Sequence, residues 1–157
     1  ASGFGRGDGG FSSGASGATN ASGASGAGRP VHALPDRIPD MACELPTLPQ
    51  AALIYRLSGD YNPLHAVPAI ARKAGFDAPI LHGLATYGVA GHAILKTYCG
   101  YDPTRLRRMD LRFSAPVYPG ETIVTEMWQD GNVVSFRARV RERDVVVLNN
   151  GRAEIAD

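Results

Sequence analysis

The chain has 157 residues, which is enough for one hydrophobic core of ordinary size. Its 16 lysines and arginines balance 15 acidic residues to a formal net charge of +1, so charge alone gives no reason to expect nucleic acid or an anionic membrane as a partner. No apolar run approaches the roughly 20 residues that cross a bilayer. Two cysteines, Cys43 and Cys99, have no metal-like spacing, which favours reduced thiols and a cytoplasmic location.

The N-terminal segment differs in composition from the rest of the chain. Of its first 28 residues, 22 are Gly, Ala or Ser, and they include 10 of the 19 glycines. Such a segment lacks the apolar side chains that a core requires. We therefore predict a flexible linker over residues 1–28 and a folded domain over residues 29–157.

Prolines and polar caps predict the first elements of the domain. Prolines at positions 30, 35 and 39 indicate that residues 31–43 form an extended segment that does not join the centre of a sheet. Thr47 and Gln50 have the spacing of a capping box, which predicts a short helix over residues 50–57. A proline at position 68 and a glycine at position 75 predict a second short helix over residues 68–74.

The second half of the chain predicts one long helix followed by strands. Residues 83–98 are mostly apolar, which predicts a buried helix whose glycines at 88 and 91 serve close packing against a sheet. Four strand patterns follow, at residues 106–117, 122–129, 133–140 and 145–155. In the third, Phe136, Ala138 and Val140 alternate with arginines, so one face is apolar. Short connectors at 130–132 and 143–144 indicate hairpins, and the whole predicts an α+β fold with an antiparallel meander.

The stretch between Tyr55 and His65 has the residues of a compact acid–base site. It contains Asp60, Asn62 and His65 within six positions of a turn that Gly59 can reverse sharply. A carboxylate and an imidazole beside one substrate can remove one proton and deliver another. The same residues could instead cap a helix and make turn hydrogen bonds, as Asp and Asn often do.

This stretch resembles the signature of the MaoC-like family, the hydratase-2 type of enoyl-CoA hydratase. The resemblance continues through residues 74–76 and 79–84, and more loosely through residues 113–121. One departure is Val67, where similar proteins often carry Asp at what looks like a helix N-cap. The resemblance implies a hot-dog fold, in which a curved antiparallel sheet wraps the long helix.

The resemblance also implies roles for individual residues. Asp60 and His65 match the catalytic dyad of the family, Asn62 the position that orients it, and Gly83 the oxyanion hole. A glycine at the N-terminus of a buried helix independently offers a free N–H there. We further predict substrate contacts for His82 and Arg108. No metal or organic cofactor is expected, because sequence shows no third ligand at helical spacing beside Asp60 and His65.

The implied activity is hydration of trans-2-enoyl-CoA to (3R)-3-hydroxyacyl-CoA in fatty acid metabolism. The alternatives are a dehydratase acting on acyl-carrier-protein substrates, a hot-dog thioesterase, and a non-catalytic acyl-binding module, because fold alone does not separate them. The glycine-rich N-terminal segment looks like the linker between the halves of two-repeat hydratases. We therefore expect a homodimer, or pairing with an N-terminal hot-dog repeat that precedes this segment.

Overall fold

The computed structural model describes residues 31–156, so the predicted linker at 1–28 lies outside the described residues. The domain contains three α-helices and five β-strands within this range. The helices are α1 (Ala51–Arg56), α2 (Pro68–Lys73) and α3 (Gly83–Tyr98). The strands are β1 (Met41–Pro46), β2 (Leu106–Phe113), β3 (Thr122–Asp130), β4 (Val133–Val140) and β5 (Val145–Ile155).

The five strands form one antiparallel sheet in the order β1-β3-β4-β5-β2, and helix α3 packs against it. The outermost strands, β1 and β2, are separated by four strand spacings, or about 19 Å. Both nevertheless contact α3, whose diameter with side chains is about 10–12 Å. The sheet therefore has to curve around the helix, and the α+β prediction is confirmed.

The core lies between α3 and the concave face of the sheet. Ala90, Ala93 and Ile94 on α3 are fully buried, as are Phe136 and Val140 on β4. Fully burying a side chain as large as that of Val140, Ile94 or Phe136 contributes roughly 1.5–3 kcal/mol to folding. The arginines on the opposite face of β4 form ion pairs across the sheet surface. The predicted alternation of apolar and charged residues along β4 therefore corresponds to its buried and partly exposed faces.

Sheet connectivity differs from the simple meander that the sequence predicted. Strands β3, β4 and β5 are successive neighbours, but β2 pairs with β5 at the far edge. Residues 114–121 therefore cross the sheet to reach β3. Along this crossover the carbonyl of Val117 accepts a hydrogen bond of 2.7 Å from the backbone of Leu81, just before α3. The crossover is stabilised by this contact with the start of the helix, which local sequence patterns do not reveal.

Before α1 the structure adds one strand and corrects one local prediction. The chain from Met41 to Pro46 forms β1, an edge strand paired with β3, which agrees with the prediction that residues 31–43 do not join the centre of a sheet. The capping box is wrong, because Gln50 makes no side-chain cap and the Thr47 hydroxyl bonds elsewhere. It donates to the carbonyl of Glu121 and accepts from the backbone N–H of Gly120. A tertiary contact has replaced the local one.

Helix α3 has the bounds that the sequence predicted, but its glycines differ in role. Gly91 is buried, and a Cβ there would stand 3.7 Å from the sulfur of Met109. Gly88 is exposed, and a Cβ added to it would have nothing within 4 Å, so close packing is wrong for this residue. Both cysteines are buried and free. Among the described residues, no helix has the length and apolar character needed to cross a membrane.

Candidate active site

The loop between α1 and the following 3₁₀ turn carries the predicted acid–base residues. Gly59 has φ +113°, so the predicted backbone reversal is confirmed and favours glycine. Arg56, at the end of α1, donates hydrogen bonds of 3.1 and 3.2 Å to the carbonyls of Tyr61 and Asn62. These bonds fix the loop on both sides of its central residues. Arg56 lies within the same stretch of sequence, yet its hydrogen bonds to this loop were not predicted.

Asp60 and Asn62 also make local hydrogen bonds within the turn, which was the alternative to an acid–base role that the sequence left open. The backbone N–H of Asn62 donates to Oδ1 of Asp60 at 3.1 Å. Oδ1 of Asn62 in turn accepts from the backbone N–H of Leu64 at 3.0 Å, which caps the 3₁₀ turn Pro63–His65. Turn formation and a chemical role are therefore compatible, because the second oxygen of Asp60 faces His82 and the rest of the site.

His65 is buried, and its ring orientation is fixed by a backbone carbonyl. Its Nδ1 lies 2.8 Å from the carbonyl oxygen of Ile80, and the side chain is 5% exposed. Because a carbonyl oxygen can only accept, Nδ1 carries the hydrogen in this bond. Nε2 is then the ring atom that can exchange a proton with a substrate.

His82 packs directly against His65, a contact that its sequence position does not reveal. The two ring centroids are 3.7 Å apart with planes inclined by 26°, and the ring of Tyr55 covers His82 at 4.4 Å. Nε2 of His82 lies 3.3 Å from the backbone carbonyl of Asp60 and 3.9 Å from its Oδ2. Burial lowers the pKa of His82, with a further decrease from neighbouring His65, so its imidazole is neutral near pH 7.

Gly83 is the first residue of α3 and lies beside the same histidines. Its N–H belongs to the helix turn that has no intrahelical acceptor, with the positive end of the helix dipole behind it. A Cβ at this position would stand 3.2 Å from the ring of Phe113, tighter than ordinary contact. Glycine is therefore favoured here by Phe113, which sequence reasoning did not associate with the site.

Asp60, His65, His82 and Gly83 line one cavity of about 280 Å³. Its polar lining residues are Tyr55, Asp60, His65, His82 and Thr86, whereas most of the remaining wall is apolar. That wall includes Ile80, Leu81, Leu84, Phe113, Pro116 and Val117. The last two come from the crossover between β2 and β3. The cavity can thus place an apolar molecule with a polar reactive centre against both an acid–base pair and the N-terminus of α3.

The expectation of no metal rested on the lack of a third ligand beside Asp60 and His65 in the sequence. The fold brings a possible third ligand, His82, close to this pair. Ligand atoms of Asp60, His65 and His82 lie within 4.8 Å of one another. A metal ion lies close to the plane of each imidazole that binds it, however, and two rings stacked 3.7 Å apart and inclined by only 26° have planes that do not meet within metal–nitrogen bonding distance of both rings. The arrangement is better suited to proton exchange than to metal binding.

Arg108 lies outside the cavity lining and pairs with Asp110 on the same strand. This hydrogen bond raises the pKa of Arg108, whose charge is already partly compensated. Asn62 likewise lies outside the lining, and its side chain caps the 3₁₀ turn. A substrate contact for Arg108 stays a prediction.

Comparisons with known proteins agree with this geometry. Residues 30–150 match the family model described as MaoC like domain. The chain belongs to this family. It is 48% identical over 143 residues to a protein of Arabidopsis thaliana named enoyl-CoA hydratase 2, peroxisomal, covering 91% of this chain and 46% of that protein.

Two solved structures share both sequence and fold. A MaoC-like dehydratase from Phytophthora capsici superposes with a TM-score of 0.80 at 46% identity, over 82% of this chain and 45% of that one. The peroxisomal multifunctional enzyme type 2 from Drosophila melanogaster superposes with a TM-score of 0.81 at 36% identity, over 85% of this chain and 25% of that one. The hot-dog prediction is confirmed. The chain spans less than half the length of these three relatives.

Proposed function

We propose that this domain catalyses the reversible hydration of trans-2-enoyl-CoA to (3R)-3-hydroxyacyl-CoA, acting as a hydro-lyase. The observation that carries the proposal is the meeting of Asp60, His65 and Gly83 at one largely apolar cavity. An apolar wall suits an acyl chain, and the polar groups suit the thioester and the attacking water. The name of the Arabidopsis relative and the R configuration implied by the family support the same reaction.

The reaction needs two proton transfers and one site for negative charge. Water adds its oxygen to C3, one member of the Asp60–His65 pair takes the proton that water loses, and the other supplies a proton to C2. His65 exchanges its proton through Nε2, since Nδ1 is bonded to Ile80. The thioester oxygen gains negative charge during addition, and the N–H of Gly83 stabilises it. Protons balance within the pair, and no metal or organic cofactor is required.

The proposed partners are an acyl-CoA thioester and a second hot-dog domain. Three large apolar side chains are mostly exposed beside the site: Leu57, Tyr61 and Leu84, at 79%, 65% and 65%. Leu84 lines the cavity, and the other two flank Asp60 in the loop. A second copy of this chain, or a second hot-dog repeat of a longer protein, would cover them.

A spectrophotometric assay tests the proposal. Loss of the ultraviolet absorbance of a short trans-2-enoyl-CoA is followed with the purified protein, and the chirality of the product is determined. We expect hydration to the R product and a loss of at least about 100-fold in rate for Asp60→Asn, because general acid–base groups contribute roughly 10²–10⁴-fold. Asp36→Asn, an exposed position outside the cavity, is the matched control and should keep full activity.

The possible outcomes separate the alternatives. Activity that survives in Asp60→Asn would remove this residue from the mechanism. Turnover of an acyl-carrier-protein thioester but not of the CoA ester would change the substrate, and release of free CoA would indicate a thioesterase. Binding of acyl-CoA without turnover by a folded dimer would indicate an acyl-binding module.

A further inference from the structure

His82 connects every part of the site although it is neither dyad member nor oxyanion donor. It is 2% exposed and stacks on His65. Its Nε2 faces the backbone carbonyl of Asp60 at 3.3 Å, and its own peptide leads directly into Gly83. The Asp60 carbonyl, the His65 ring and the Tyr55 ring thus all contact one imidazole.

The protonation of this imidazole follows from its partners. The carbonyl of Asp60 can only accept, so Nε2 carries the hydrogen and donates to it. Nδ1 then holds the lone pair, and among the described side chains it is buried without a hydrogen-bond partner. A buried acceptor left unpaired costs roughly 1–3 kcal/mol of folding free energy. Phenylalanine would avoid that cost, so histidine at this position is better explained by function than by stability.

We propose that His82 is a positioning residue whose neutral ring holds His65 and the Asp60 loop in register with the Gly83 N–H. The inference rests on the proposed hydration. Stacking prevents the His65 ring from tilting about its bond to Ile80, and the Nε2–H bond holds the carboxylate-bearing loop. Displacing catalytic groups by about 1 Å can cost up to about 10²-fold in rate.

Protonation of His82 would reverse this role. The groups that face it are His65, Asp60, Arg56 and Tyr55. An imidazolium would be repelled by Arg56 and by a charged His65, and attracted by Asp60, whose Oδ2 lies 3.9 Å from Nε2. As pH falls and His82 becomes charged, the carboxylate is drawn into an ion pair and away from the substrate. His82 thereby contributes one ionisation to the acid limb of the activity profile.

Two substitutions test the aromatic ring and the hydrogen bond of His82 one at a time. His82→Phe keeps an aromatic ring but has no donor, and His82→Gln keeps an N–H donor but has no ring. We expect kcat to fall by about 10–100-fold in His82→Phe with a smaller change in KM, and by less in His82→Gln. When the pH profile of kcat is normalised to its maximum, its acid limb should lie at lower pH in both variants than in the original chain. His92→Phe, an exposed histidine on the same helix, is the control and should change none of these.

Amide hydrogen exchange gives a readout that does not depend on activity. In His82→Phe the N–H groups of Asn62 and Leu64 should exchange faster than in the original chain, while those of β4 stay unchanged. Wild-type kcat and pH profile in His82→Phe, with unaltered loop exchange, would overturn the proposal. If the original chain does not hydrate enoyl-CoA, the proposed function fails. Faster loop exchange would then still support the positioning role, and unchanged exchange would overturn it.

Discussion

Single residues of the site differ in how far sequence could reveal them. Asp60, Asn62 and His65 lie within six positions, so their proximity follows from a tight turn and could be predicted. His82 is 22 positions from Asp60, and only the fold brings their atoms within hydrogen-bonding distance. His82 was predicted as a site residue without these partners, and Phe113 was missed, since its contact with Gly83 joins β2 to α3. A histidine immediately before an apolar helix was the available signal, but it does not specify a partner.

Gly83 offers a test at this scale. In Gly83→Ala the new methyl would stand 3.2 Å from the ring of Phe113, so the helix start or the ring must shift by a few tenths of an ångström. We expect kcat to fall by about 10-fold or more, because the N–H would no longer point at the developing oxyanion. Stopped-flow or steady-state hydration kinetics measure the effect.

The matched control is Gly88→Ala on the same helix, where nothing lies within 4 Å of the added methyl. Alanine there should raise the free energy of unfolding by roughly 0.5–1 kcal/mol through helix propensity alone, with unchanged kcat. Equal losses of kcat in both variants would contradict a specific role for Gly83.

Among the elements, those with strong periodicity were predicted well and those that depend on distant contacts were not. The bounds of α3, β4 and β5 follow from apolar patterns that their own residues carry. Strand β1 was missed because it contains Pro46 and lies among prolines, although an edge position tolerates them. The crossover after β2 was missed because adjacent strands usually pair, whereas here β2 pairs with β5.

Helix α2 gives a prediction about stability. Val67 occupies its N-cap with φ −106° and ψ 109°, and it makes no side-chain cap bond. In Val67→Asp the carboxylate can accept from the N–H of Ala69, since that of Ile70 already donates to the carbonyl of residue 67, and it lies near the positive end of the helix. We expect the free energy of unfolding to rise by about 1 kcal/mol in urea titrations. Val67→Ala, which cannot cap, is the comparison, and equal stability of the two variants would refute the capping argument.

Strands β4 and β5 approach too closely at Gly151 for any side chain. A Cβ there would stand 2.5 Å from the carbonyl oxygen of Phe136 and 2.7 Å from its ring. We expect Gly151→Ala to lower the free energy of unfolding by about 1–3 kcal/mol, because backbone must move to accept the methyl. Thermal and urea unfolding measure it. A stability equal to that of the original chain would show that the strands separate at no cost.

At the scale of the whole molecule, the exposed apolar side chains beside the cavity are the feature that a single domain leaves unexplained. Contiguous exposed apolar patches usually mark interaction sites. The chain also spans less than half the length of its relatives from Arabidopsis and Phytophthora, so more than half of each of those proteins lies outside the matched region. Sequence resemblance suggested pairing with a second hot-dog domain, and the exposed rim formed by Leu57, Tyr61 and Leu84 is where we expect that domain to contact this one. A cytoplasmic location stays a prediction.

Dependence of activity on protein concentration tests this arrangement. If a second copy covers the rim, hydration activity per chain should fall on dilution as sedimentation velocity shows the dimer dissociating. Leu57→Lys places a charge on the rim, and burying an unpaired ammonium is costly. Dimer dissociation and the loss of activity per chain should therefore both occur at higher protein concentration in this variant. Ile38→Lys, at a position 87% exposed in the segment before β1, is the control and should leave both unchanged. A monomer with full activity at every concentration would show that the domain needs no partner for catalysis.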